Sequence, residues 1–377
     1  MELASDLART LRLMVPDLMK LIEMMSFEHE WLSEKFVAES QQLAVNEKGR
    51  KHHYVPQMYL RRWALDGKVQ PTQVNTRQVH RPQPPKEVAY QNNFYSLPPA
   101  DSSMDLPLKW LETHLGRIES DCADRLDELE AWGSGLVSDD ALKRDLSVFL
   151  GLQVTRTPSN RQRSLLLVNG PDAAKRMFLR KMNPRLSIAE IEQSMRNRHA
   201  DPKQEVLDLM IKDVRNVIAD SLYQREWALF RTASPVITCD DPVIFVSGPP
   251  LTRKYSVGAL MSAVVLYPVN PYRVLVMLRP GLRHRGPYRL ANSETHSINT
   301  ELVGAAAKTT FERPGDGIAA HIAVPPRPPQ IELDDEKVKR LDTEAALHLL
   351  LRAVSPRSRW ADVESAPAWP VPRWYSG

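Results

Sequence analysis

Leu142, Leu146, Phe149, Gln153 and Arg156 follow one another at helical spacing, and the run stops at Thr157-Pro158. At about 100° per residue these side chains share one stripe, so an amide and a guanidinium point where the apolar residues point. Ser138 or Asp139 supplies the N-cap. Burying an unpaired guanidinium is costly. The stripe therefore requires a carboxylate, a phosphate or several carbonyls opposite Arg156, and the fold has to bring something acidic to this helix.

A second stretch concentrates polar chemistry. Lys51-His52-His53-Tyr54-Val55-Pro56-Gln57-Met58-Tyr59-Leu60-Arg61-Arg62-Trp63 is too polar for a core strand and too aromatic for a solvent loop. Adjacent histidines in extended chain face opposite sides, so one of them turns inward. His53 is the choice here.

Around these two stretches the chain divides by pattern. Residues 1–49 read as a helical arm, in which Leu18, Ile22, Met25, His29, Leu32 and Phe36 form a short heptad-like seam. That seam either pairs with a second copy, giving a homodimer, or lies on its own chain. Residues 50–330 read as the main domain. Its helical part spans about 100–231, with a long acidic helix from 106 to 132 and a capping box at Ser187 and Glu190. Its strand-rich part spans about 234–324, with strands flanking the turn Asp240-Asp241-Pro242, a strand pair around Asn270-Pro271, and returns to the sheet at 309–311 and 321–324. A closing helix at 331–354 and a Pro/Trp-rich tail at 355–377 follow. Trp360, Trp369 and Trp374 of that tail either stack on bases or dock on apolar surface. The fold class expected is α+β, a helical body packed against a small, mainly antiparallel sheet.

Composition bounds the setting. An apolar fraction of 42% and a charged fraction of 25% are those of a globular protein. Two cysteines, Cys122 and Cys239, make no disulfide framework, and no apolar run approaches the roughly 20 residues that cross a bilayer. A cytoplasmic protein with no membrane partner is expected. Charge is regional: residues 101–145 hold 5 Lys or Arg against 12 Asp or Glu, whereas 151–231 hold 15 against 9. The basic half either holds phosphate backbone, which makes nucleic acid a candidate partner, or is a solvated helix surface.

In the combination of His53-Tyr54-Val55-Pro56-Gln57 with Tyr59-Leu60-Arg61 and Trp63, Asn93-Phe94-Tyr95, Gln153 with Arg156-Thr157-Pro158 and Arg161, Thr238 with Asp240-Asp241-Pro242-Val243, and Asn299, the chain resembles a widespread bacterial family of unknown function. The likeness covers roughly 51–315. Where that family usually shows Ser-Asp-Asn-Pro, this chain has Cys239-Asp240-Asp241-Pro242, which keeps the first carboxylate and changes its neighbours. The resemblance implies a shared domain and carries no reaction with it.

The polar residues support two readings. In the first, the protein is a phosphodiester-acting hydrolase of nuclease type. His53, Asp240 and Asp241 are then the catalytic groups, with His53 and Asp240, and His80 as a further donor, holding a divalent metal such as Mg or Mn. Arg61, Arg156 and Arg161, with Gln57, Gln153 and Asn299, hold the phosphate or ligand. In the second, the protein binds nucleic acid or protein without catalysis, and the same groups form an internal network in which Arg156 meets Asp240 or Asp241. Zinc-finger and metalloprotease spacings and a phosphate-binding glycine loop are absent from the sequence. Cys239 reads as a small buried hydrophobe.

Overall fold

The computed structural model describes residues 27–47, 50–96, 109–169, 186–196, 202–254, 256–329, 357–364 and 366–375, and the single positions 172, 176, 340, 341, 345 and 349. The expected α+β class is what it shows. The helices are α1 (Glu34–Leu43), α2 (Gln57–Leu60), α3 (Trp110–Ala131), α4 (Asp140–Thr155), α5 (Pro158–Asn169), α6 (Ile188–Arg196), α7 (Pro202–Asp213), α8 (Ala219–Tyr223) and α9 (Asn292–Ala305). Asp139 caps α4, its Oδ1 accepting from Leu142 N at 2.8 Å. Helix α4 ends at Thr155. Pro158, which has no N–H to continue the ladder, opens α5 instead. The capping box forms at α6, where Ser187 and Glu190 exchange bonds of 2.7 and 3.2 Å.

Strands β1 (Lys51–His53) and β3 (Tyr90–Asn92) form a small antiparallel ribbon, and β2 (Gln70–Gln73), β11 (Thr309–Glu312) and β6 (Thr238–Cys239) form a second sheet. The main sheet runs β10-β5-β9-β8-β7, from β5 (Glu226–Thr232), β7 (Ile244–Val246), β8 (Val264–Asn270), β9 (Arg273–Leu278) and β10 (Arg289–Leu290), with β4 (Gly135–Leu136) beside β5. All of its pairs are antiparallel except β10 with β5.

Alternation along these strands divides the interior in two. Trp227, Leu229, Val265, Tyr267, Leu275 and Met277 join the core built with α1, α3, α4 and α7. Ala228, Phe230, Leu266, Val274, Val276 and Leu278 join a second core covered by α9 and the tail. The sheet is therefore buried on both faces, which corrects the placing of the helical part as far as 231. Glu226–Thr232 is a strand, and its run Trp-Ala-Leu-Phe lacks polar alternation because each face meets its own apolar layer. Of the two returns expected, 309–311 is strand, whereas 321–324 is not: Ala319–His321 forms a short 3-10 turn and 322–324 follows it as irregular chain.

The described part of the arm, 27–47, lies on its own chain. Phe36 is buried under the Arg117 guanidinium at 3.8 Å, Arg117 pairs with Glu39 at 2.9 Å, and His29 meets Asp145 at 2.9 Å. Leu18, Ile22 and Met25 of the expected seam, and nearly all of the closing helix, lie outside the described residues. The tail docks: Trp374 is buried and packs edge-on against Phe230 with centroids 5.5 Å apart, while Arg373 pairs with Glu294. No helix among the described residues is long and apolar enough to cross a membrane.

Candidate functional site: a buried ion-pair network beside an arginine-lined cavity

The motif stretch begins in β1, whose pairing with β3 turns His52 and His53 to opposite sides. Both are buried, at 0% and 7% exposure, so the expectation of a single inward imidazole is corrected. Each side of this ribbon meets protein. His52 Nδ1 accepts from Tyr95 N at 2.8 Å and its ring stacks on that tyrosine. His53 Nε2 lies 3.3 Å from Lys86 O, which makes it the protonated nitrogen, and Nδ1 is left to accept from Gln57 Nε2 at 3.4 Å. Burial first, and the Arg156 charge among the lesser causes, holds His53 below its ordinary pKa, in keeping with a neutral ring.

Arg156 is 2% exposed and has the acidic partner its burial requires. The partner is Glu119 of α3, with Nη1 at 2.5 Å from Oε1, which corrects the expectation of Asp240 or Asp241. Nη2 donates to His53 O at 2.5 Å, and Tyr95 Oη donates to Arg156 O at 3.0 Å. Arg161 stands over the Phe94 ring at 4.4 Å. The motifs at 53–57, 94–95 and 156–161 thus meet in one place. Tyr59 ties them to the strand that follows, its Oη lying 2.7 Å from Thr238 Oγ1 and donating to Pro268 O at 2.8 Å. Arg61 stays outside: it is exposed, and no hydrogen bond or ion pair joins its side chain to the others.

Glu112, which no motif singled out, belongs to this network. Burial pushes its carboxyl up to about 7 against the pull of Arg156, and its Oε2 is buried without a partner. Its signal was spacing. Glu112 and Glu119 stand seven apart on α3, a separation that puts both carboxylates on one line of the helix, flanking the face that buries Leu111, Leu115 and Ile118.

Three other expected groups serve the backbone. Asp240, at 3% exposure, accepts from Ala307 N at 2.6 Å, Lys308 N at 2.8 Å and Thr309 N at 3.0 Å, clamping the exit of α9 into β11. Burial first, and the charge of Asp241 second, raises Asp240 to about 6. Asn299 accepts from Ile237 N and donates to Pro235 O, both at 3.0 Å, so neither end of the amide is free for a ligand. Cys239 is fully buried and its thiol donates to Asp241 O.

A metal held by His53 and Asp240 does not fit this geometry. Both His53 nitrogens face protein partners, both Asp240 oxygens are taken by backbone N–H groups, and His80 engages the chain at 70–71 through its main-chain atoms. Among the described residues no group of three or more His, Cys, Asp or Glu side chains could hold an ion.

Next to the network a cavity of about 160 Å³ opens between the end of α4, β7, the end of α9 and the C-terminal segment. Gln153, Arg163, Asp241, Arg327 and Arg359 are among the residues lining it, and so are two cations already paired. Arg253 donates two hydrogen bonds to the Glu301 carboxylate, at 2.5 and 3.1 Å, and lies over Trp369 at 4.2 Å, and Arg357 pairs with Asp362. Arg163, Arg327 and Arg359 remain, and among the described residues only Arg327 of the three has a carboxylate in range, Asp241 at 3.9 Å. Arg359 donates to the carbonyls of Gly304, Ala306 and Pro325, which fixes it across the end of α9. Burial first, and Arg327 beside it, lowers Arg359 to about 10, while burial also lowers Arg163. Gln153 is 0% exposed, and both its amide nitrogen and its amide oxygen are buried without a hydrogen-bond partner. Arg327, Arg359 and Trp360 come from a proline-rich linker and an aperiodic tail, where helical or strand spacing gives no sign of which way a side chain turns.

The fold and this site define an α+β protein whose central sheet is covered on one face by a helical body and on the other by α9 and the tail. The chain belongs to the family described as protein of unknown function DUF4238, whose sequence model matches residues 51–316. No curated protein and no solved structure matches the chain. The matched span holds the whole buried network, but it stops short of Arg327, Arg357, Arg359, Trp360 and Trp369 on the cavity wall.

Proposed function

We propose that this chain binds a phosphate-bearing anion in the arginine-lined cavity. The observation that carries the reading is a charge imbalance. Among the described residues of the wall, once Arg253 is paired with Glu301 and Arg357 with Asp362, Arg163, Arg327 and Arg359 are left with the one carboxylate of Asp241, around a buried amide with no partner. Guanidinium forks match phosphate oxygens, and such bonds are stronger in a partly desolvated cleft. Binding is supported better than catalysis because His53, Asp240 and Asn299, expected at a reacting centre, are engaged by protein groups.

Hydrolysis of a phosphodiester remains a second reading, favoured by one observation. Asp241 is the member of the expected catalytic set that lines the cavity, with its carboxylate 20% exposed and Arg327 beside it. A nucleic-acid strand is the extended form of the same ligand. A cytoplasmic setting fits the two buried free cysteines.

The test is a thermal-shift series with pyrophosphate, ribose 5-phosphate and short labelled RNA and DNA, together with release of nitrophenolate from bis(p-nitrophenyl) phosphate with and without Mg or Mn. Saturable stabilisation by phosphate-bearing ligands, weakening as salt rises, is expected. Turnover abolished by Asp241→Asn would move the conclusion to the hydrolase. Indifference to every anion would remove the proposal.

A further inference from the structure

We propose that the anion is a mononucleotide recognised by its base, with Gln153 reading the base edge and the Trp360 indole stacking on its face. The proposal rests on the anion-binding reading and names the ligand class for the same cavity.

Gln153 carries the argument. A primary amide has two donors on nitrogen and an acceptor oxygen, and this one is wholly buried with all of them unmatched. Leaving such groups unsatisfied is costly, and a leucine at this point of the α4 stripe would avoid the cost. A phosphate answers only half of the need. It accepts from the amide nitrogen but offers the amide oxygen no donor. A planar edge with a donor and an acceptor side by side satisfies both, and that arrangement is what nucleobases present to glutamine and asparagine.

The rest of the wall agrees. Trp360 is half-buried on the cavity surface, with its ring edge against Gly304, where an added Cβ would stand 3.5 Å from the ring. Among the described residues no aromatic or cationic group stacks on it, whereas Trp369 is covered by Arg253. A half-buried indole on a cavity wall, with no aromatic or cationic partner among the described residues, is a candidate stacking platform for a base. The volume of about 160 Å³ is of the size that takes one aromatic ring, and Arg163 and Arg327 on the same wall are the groups to hold the phosphate.

Calorimetric titration of the full chain with AMP, GMP, CMP and UMP, against ribose 5-phosphate and inorganic phosphate, tests this. At least one nucleotide should bind tenfold or more tightly than ribose 5-phosphate. Gln153→Leu, which keeps the helix stripe and removes the unmatched amide, should erase that preference, so that nucleotides and ribose 5-phosphate bind the variant alike. Trp360→Ala, made outside the helical core, should do the same if the leucine variant fails to fold. Nucleotides and ribose 5-phosphate binding alike would overturn base recognition while leaving the anion site standing. Binding of none of them would overturn both.

Discussion

Glu119→Gln is the sharpest probe of the buried network, because it removes one negative charge and keeps the shape and an acceptor oxygen. Arg156, at 2% exposure, would then keep His53 O and Tyr95 as partners but lose the carboxylate 2.5 Å away. Breaking a buried pair by removing one partner typically costs roughly 3–5 kcal/mol. The Glu119 side chain is 22% exposed, so part of its charge is already screened, and about 2–4 kcal/mol is the expectation here. A loss of that size lowers Tm by roughly 2.5–5 °C in a chain of this length, at about 2.1 cal/mol/K of unfolding entropy per residue. Differential scanning calorimetry of wild type, Glu119→Gln, Arg156→Met and the double variant measures both the loss and the coupling. The double variant should lie well above the sum of the singles, because no buried charge is left unpaired. Additive singles, or a Tm drop under about 1 °C for Glu119→Gln, would refute the claim that this pair fixes the end of α4.

Three further outcomes follow from the same contacts. Glu112 has its carboxyl raised to about 7 from an ordinary 4.5, so the folded state holds a proton that the unfolded chain releases. Its contribution to stability is full below about pH 4.5 and is lost as pH rises towards 7. Glu112→Gln should therefore be more stable than wild type at pH 8 and gain nothing at pH 4, and the opposite order in pH-dependent melts would dismiss the assignment. Asp240→Ala strips acceptors from three backbone N–H groups and should cost about 3 kcal/mol or more in urea unfolding, with a change below about 1 kcal/mol counting against the clamp. Arg61→Ala should leave stability within roughly 0.5 kcal/mol and phosphate binding unaltered; a marked loss of binding would return Arg61 to the site.

Much of this was legible in the sequence because periodicity reports burial. The stripe of α4 ran on into Gln153 and Arg156, both are buried, and the demand for an acid opposite Arg156 is met. Which acid was not legible. Glu119 is one carboxylate among many on an acidic helix, and only the packing of α3 on α4 selects it, whereas the adjacent pair Asp240-Asp241 drew attention by its turn. Strand β5 was read as helix because a run buried on both faces loses its alternation, and residue type alone does not separate it from a buried helix. Side-chain identity likewise misled for Asp240 and Asn299. A carboxylate or amide that serves backbone N–H groups has the same letter in the chain as one that serves a ligand. The cavity was least legible, since linker and tail residues with no periodic pattern make up much of its wall.

The account's central claim is that Arg163 and Arg327, with only the Asp241 carboxylate between them among the described residues, bring an excess of positive charge to a built cavity. Titration calorimetry of pyrophosphate into wild type and into the Arg163→Ala, Arg327→Ala double variant at low salt tests it most directly. One saturable site in wild type, weakened by on the order of 100-fold in the variant, is the result predicted. Equal affinity in the two proteins, or no heat in either, would contradict it.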